Sequence, residues 1–89
     1  MPTVSIPPPY RGPTRGDAEV QVAGQTVREC LEALNARYPG LSELLYEADG
    51  HLSSLVRLFV NGKPVTADAL DTPVAATDEI TILAAIAGG

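Results

Sequence analysis

The chain has 89 residues, 45% of them hydrophobic, and a net charge of −5 from eleven acidic and six basic side chains. One small domain is expected, burying roughly 60–65% of its unfolded surface around a modest core, with no room for a deep catalytic cleft. The six Lys and Arg are scattered, which excludes a nucleic-acid grip, and the lone Cys30 excludes an internal disulfide.

The opening Met1-Pro2-Thr3-Val4-Ser5 lacks the charged-then-apolar pattern of a signal peptide. No apolar run has the length to span a membrane. A cytoplasmic protein with no membrane partner is therefore expected, and its acidic surface suits a basic protein partner. Residues 3–6 alternate and read as a strand with Val4 and Ile6 on one face. Residues 7–16 hold four of the eight prolines, two glycines, Arg11 and Arg15. Proline cannot donate to a ladder, so the strand stops there. Ala18–Val22 alternates again, which suggests a hairpin closed by a long, stiff loop.

Thr26-Val27-Arg28-Glu29 fits a capping box: the Thr26 hydroxyl takes the Glu29 N–H and the Glu29 side chain reaches back. Val27, Cys30, Leu31, Leu34 and Tyr38 then recur at helical spacing, and Pro39-Gly40 ends the run. The helix is placed at about 26–38, with one further turn over 41–45 and a loop over 47–54. Residues 55–60 (LVRLFV) read as a strand, Asn61-Gly62 as a tight turn, and Lys63-Pro64-Val65 as a short edge strand. Residues 66–77 read as mixed turn and residues 78–83 as the last strand. The order β-β-α-β-β-β gives an α+β unit: a mixed sheet of about five strands packed on one helix. A hairpin before the helix makes β-grasp (ubiquitin-like) the leading topology, ahead of a helix-covered sheet of another strand order. The single domain is placed at residues 1–83, followed by a flexible tail, 84–89, ending in Gly-Gly.

That tail carries the chemistry. Gly88 and Gly89 have no Cβ, so they can enter a narrow channel in any backbone conformation. The terminal carboxylate is unhindered. A partner using ATP could convert it to an acyl-adenylate, which sulfide would turn into a thiocarboxylate and a lysine amine into an isopeptide. A lone Gly-Gly end is more often a frayed terminus. The stop at the second glycine and the β-grasp order before it favour chemistry.

The chain resembles the ThiS/MoaD family of ubiquitin-like sulfur carriers along its full length, closest to the CysO-like actinobacterial type used in a cysteine-forming route. The matching segments are Thr3–Pro7, Gln25-Thr26-Val27, Tyr38–Glu43, Phe59-Val60-Asn61-Gly62, Asp78–Leu83 and Ala87-Gly88-Gly89. One departure is Ala84-Ala85-Ile86, where relatives often place proline before the ending; the terminal chemistry is untouched. The resemblance implies that an adenylating, sulfurtransferring enzyme activates Gly89, with Gly88 before it, and that a biosynthetic enzyme accepts the sulfur. It implies no bound cofactor, since ATP belongs to the activating partner, and a free carrier that is monomeric rather than an enzyme. It leans toward cysteine or a sulfur-containing natural product as the destination.

By strand alternation Val56, Leu58, Val60, Ile80 and Ile82 face the helix, while Leu55, Arg57, Phe59, Thr81 and Leu83 face out. Phe59 and Leu83 then form an exposed apolar patch or a small cluster under the loops. The resemblance implies the former, a docking face for the activating enzyme, with Ile86 and Ala87 threading with the tail. Cys30, on the apolar stripe, reads as a small buried hydrophobe. His51 has no second ligand at metal-binding spacing, and one cysteine excludes a plant-type iron–sulfur site. Pro7-Pro8-Pro9 reads as loop stiffening rather than a recognition motif. Arg11 and Arg15 read equally as partner contacts or solvated loop charges. Two other functions stay open: a ubiquitin-like modifier joined through Gly89 to lysines, and an interaction domain with an inert tail.

Overall fold

The computed structural model describes residues 1–84. The strands are β1 (Thr3–Ser5), β2 (Glu19–Gln21), β3 (Val56–Val60), β4 (Lys63–Val65) and β5 (Glu79–Ala84). The helices are α1 (Val27–Arg37) and the single turn α2 (Ser42–Leu45). Among the described residues the sheet has the order β2-β1-β5-β3-β4. Its central pair, β1 and β5, is parallel; every other neighbouring pair is antiparallel. With α1 laid across one face, this is the β-grasp, ubiquitin-like fold.

The core lies between that face and α1. Strand alternation sends Val4, Val20, Val56, Leu58, Ile80 and Ile82 inward, where each is at most 4% exposed. From α1 come Val27, Cys30, Leu31 and Leu34, each at 0%, and Tyr38 joins them at the helix end. The tight packing has a test at Gly24. A Cβ there would lie 2.8 Å from both the backbone nitrogen and the Sγ of Cys30. Both atoms are held, one by the helix and one by burial. Gly24→Ala is therefore expected to cost about 1–3 kcal/mol in urea denaturation. Part of that cost should return when Cys30→Ala is combined with it.

The ends of α1 follow the capping chemistry of its sequence, with one shift. The Thr26 hydroxyl accepts the Glu29 N–H at 3.1 Å. The Glu29 carboxylate reaches back to the N–H of Gln25, one residue earlier than a regular capping box, at 2.9 Å. The next two free N–H groups are taken by residues 66–77: Val27 donates to the Thr72 carbonyl at 3.0 Å and Arg28 to that of Leu70 at 2.8 Å. This segment, read from sequence as mixed turn, thus caps the helix and buries Leu70 and Val74. The extra turn over 41–45 is present as α2, preceded by a 3₁₀ turn at Pro39–Leu41.

The loop after β1 is a built segment. Pro8–Tyr10 makes a 3₁₀ turn and buries Tyr10. Thr14 is fully buried, its hydroxyl donating to the Asp17 carbonyl at 2.9 Å. Arg11 is a half-buried loop residue whose Nε donates to the Ile6 carbonyl at 3.1 Å.

Asn61 and Gly62 both take positive φ, 51° and 84°, and close the two-residue turn between β3 and β4. The Asn61 side chain also fastens this hairpin to β5. Its amide donates to Asp78 Oδ1 at 2.9 Å, and its oxygen accepts the Glu79 N–H at 3.0 Å. The N–H of Ala75 and the Asn61 amide hold the Asp78 carboxyl below the usual range. Its contribution is therefore present above the unfolded value and fades as pH falls through the lower folded one. Asn61→Ala keeps the Cβ in left-handed backbone but loses both side-chain bonds that offset its strain, at about 1–2 kcal/mol. A melting temperature that drops in Asn61→Ala but recovers largely in Asn61→Gly identifies the backbone share.

Candidate functional site

The outer face of the sheet, away from α1, is where the sequence places a docking surface. β5 alternates as expected: Ile80 and Ile82 face inward, Thr81 is half-buried and Leu83 is 46% exposed. On β3, Arg57 is exposed and Phe59 half-buried. Register pairs Arg57 with Leu83 and Phe59 with Thr81, which makes Phe59 and Leu83 diagonal neighbours on one face. Leu83 is exposed and Phe59 half-buried there.

Phe59 also stands opposite Pro64 of β4. The exposed Pro64 extends the apolar strip to the sheet edge, a role the sequence reading did not assign. Only the register reveals it, because in the sequence Pro64 signals nothing beyond an edge strand. Leu55, just before β3, is 41% exposed. Arg57 is the charged member of the patch.

β5 runs one residue further than its sequence suggested. Ala84 pairs with Val56 and packs, half-buried, against the core, so it belongs to the strand and not to the tail. Ile86, Ala87, Gly88 and Gly89 lie outside the described residues. Their expected attachment point is the end of β5, beside Leu83.

The residues set aside on sequence grounds are accounted for within the fold. Cys30 is fully buried on α1, and burial, with a smaller effect from Glu29, raises its thiol pKa. It is thus kept as the unreactive thiol rather than the nucleophilic thiolate. His51 is exposed and pairs with Asp49 at 3.0 Å. That carboxylate raises the imidazole pKa. Among the described residues, no three His, Cys, Asp or Glu side chains meet as a metal site, and no helix is long and apolar enough to cross a membrane.

Comparison with known proteins gives the family. The ThiS family model matches residues 11–89. The chain belongs to the ThiS family. The match begins after β1 and runs through residue 89, so it includes the glycine pair. The sulfur carrier protein CysO of Mycobacterium tuberculosis is 39% identical over 90 residues, covering 98% of this chain and 97% of the relative. Among solved structures, that of the Amycolatopsis orientalis BexX/CysO complex aligns with a TM-score of 0.88 at 33% identity, covering both chains fully. Small archaeal modifier protein 1 of Methanosarcina acetivorans aligns at 0.84 with 25% identity, over 99% of this chain and 95% of that one.

Proposed function

We propose that this ThiS-family protein is a sulfur carrier, a co-substrate of other enzymes rather than a catalyst. The observation that carries the reading is the 39% identity, over nearly the whole of both chains, to a protein named a sulfur carrier. The Gly89 carboxylate attacks the α-phosphorus of ATP on a partner adenylating enzyme, and pyrophosphate leaves. Sulfide then attacks the acyl-adenylate carbonyl and displaces AMP, leaving a thiocarboxylate. That group delivers its sulfur to an acceptor held by a biosynthetic enzyme, in a route to cysteine or another sulfur-containing metabolite. The Phe59–Leu83 strip docks the activating partner, and Ile86, Ala87 and Gly88 lead the terminus into its active site. The solved complex of a CysO relative with a partner protein supports association of this kind.

The test is mass spectrometry of the C-terminal peptide after incubation with ATP, sulfide and a candidate adenylating enzyme. Exchange of one oxygen for one sulfur at Gly89, dependent on ATP, is expected. Fragment localisation separates it from oxidation of Met1, which has nearly the same nominal mass. An unmodified terminus with several such enzymes, each active on its own carrier, would overturn the reading. The likeness to an archaeal modifier protein favours a second reading, conjugation of Gly89 to lysines. Higher-mass conjugates in cell extract, absent when Gly89 is deleted, would identify it.

A further inference from the structure

The flank of α1 turned away from the sheet borders a groove that the terminal chemistry leaves unused. α1 sends Val27, Cys30, Leu31 and Leu34 into the core, so helical spacing puts Arg28, Glu32, Asn35 and Ala36 on its other side. The chain turns back through α2 into a loop closed by the Tyr46–Leu52 bridge. Between α1, α2 and this loop lies the groove, with Ala36, Tyr46, Leu52 and Leu70 as its apolar lining. Glu32, Glu43 and Glu47 line it as well and are exposed. Arg28 does not offset them, because Asp71 already holds its guanidinium at 2.9 Å. His51, also in the lining, is likewise held, by Asp49 at 3.0 Å. The side-chain oxygen of Asn35, also in the lining, is buried with no hydrogen-bond partner among the described residues.

We propose that this groove docks a cationic amphipathic helix of a partner protein. Its apolar side chains would lie against Tyr46 and Leu52, and its Lys or Arg side chains against Glu32, Glu43 and Glu47. The occupant follows from the charge. An acidic segment or an anionic lipid surface meets like-signed carboxylates, whereas a basic one is steered in and oriented. Because the groove borders the helix layer and the Phe59–Leu83 strip lies on the outer sheet face, the two surfaces share no lining residue. A carrier docked through its sheet face therefore keeps a second handle free, whether or not Gly89 carries sulfur.

The probe is a short designed Leu/Lys peptide with helical amphipathic spacing, titrated into the ¹⁵N-labelled full-length protein. Two controls share its length: a Glu-for-Lys counterpart and a scrambled Leu/Lys isomer. Amide shifts are expected at Arg28, Glu32, Asn35, Glu43, Tyr46 and Leu52. Glu43→Lys with Glu47→Lys should weaken affinity about tenfold. Glu19→Lys with Glu79→Lys, an equal change of charge at exposed positions elsewhere, should leave it unchanged. The amide spectra report that each variant is folded. Absent binding, shifts spread over the surface or centred on Phe59 and Leu83, equal weakening by both variants, or equal affinity for the scrambled isomer would each overturn the proposal.

Discussion

Removing Gly88 and Gly89 is expected to abolish sulfur loading by more than about a hundredfold while leaving the fold intact. Two extended residues span about 7 Å, so under the proposed function the shortened chain ends well short of the partner's adenylating centre. A misplacement of even about 1 Å can cost a reaction about a hundredfold. The shortened chain also ends in Ala87, whose Cβ would crowd a channel narrow enough to require glycine. Gly89→Ala keeps the length and adds only that Cβ. If the channel is narrow, this variant falls between the wild type and the truncation. The assay is ATP-dependent thiocarboxylate formation followed by mass spectrometry, with an amide spectrum of each protein as the folding control. Thiocarboxylate found on Ala87 of the truncated chain at an undiminished rate would show that the glycines are not required.

Leu83→Glu is expected to raise the KM for the carrier in the activating reaction about tenfold, with kcat at saturation little changed. The position suits a charge test because Arg57 stands directly opposite on β3. An introduced carboxylate meets a guanidinium, and such a cross-strand pair contributes roughly 0.2–1 kcal/mol. The fold therefore tolerates the change, while the apolar strip shared with Phe59 and Pro64 is broken. A loss confined to KM means that uniform binding was removed, as a docking surface requires. Unchanged kinetics would remove the outer sheet face from the docking role. A fall in kcat alone would point to positioning of the tail at the end of β5.

Local signals in the sequence were legible because local chemistry produces them. Thr26 and Glu29 mark the start of α1, Asn61-Gly62 marks its turn, and period-two alternation identified the inward and outward residues of β3 and β5. The parallel pairing of β1 with β5 is different in kind. The two strands lie at opposite ends of the chain, and nothing in either one encodes the neighbour except the shared need to bury Val4 and Ile80. The segment 66–77 was opaque for a related reason. Its purpose, supplying the Leu70 and Thr72 carbonyls to the first turn of α1, exists only once the helix is in place. The outer strip was legible in part. Phe59 and Leu83 follow from alternation, whereas Pro64 joins them only through register. The acidic groove was hidden because Glu32, Glu43 and Glu47 are separated in the sequence, and only the return of the chain through α2 gathers them.

The parallel pairing at the centre of the sheet also has a mechanical consequence. β1 leaves Met1 at one end of the sheet, while β5 runs in the same direction toward the tail. A pull between the two ends of the chain drags these strands past each other along their length, so the ladder bonds between them bear the load together rather than opening one by one. β5 is flanked on its other side by β3 over five paired residues, which adds a second bonded edge to the strand under tension. Tugging on the terminal glycines therefore loads a strand that is bonded along both of its edges.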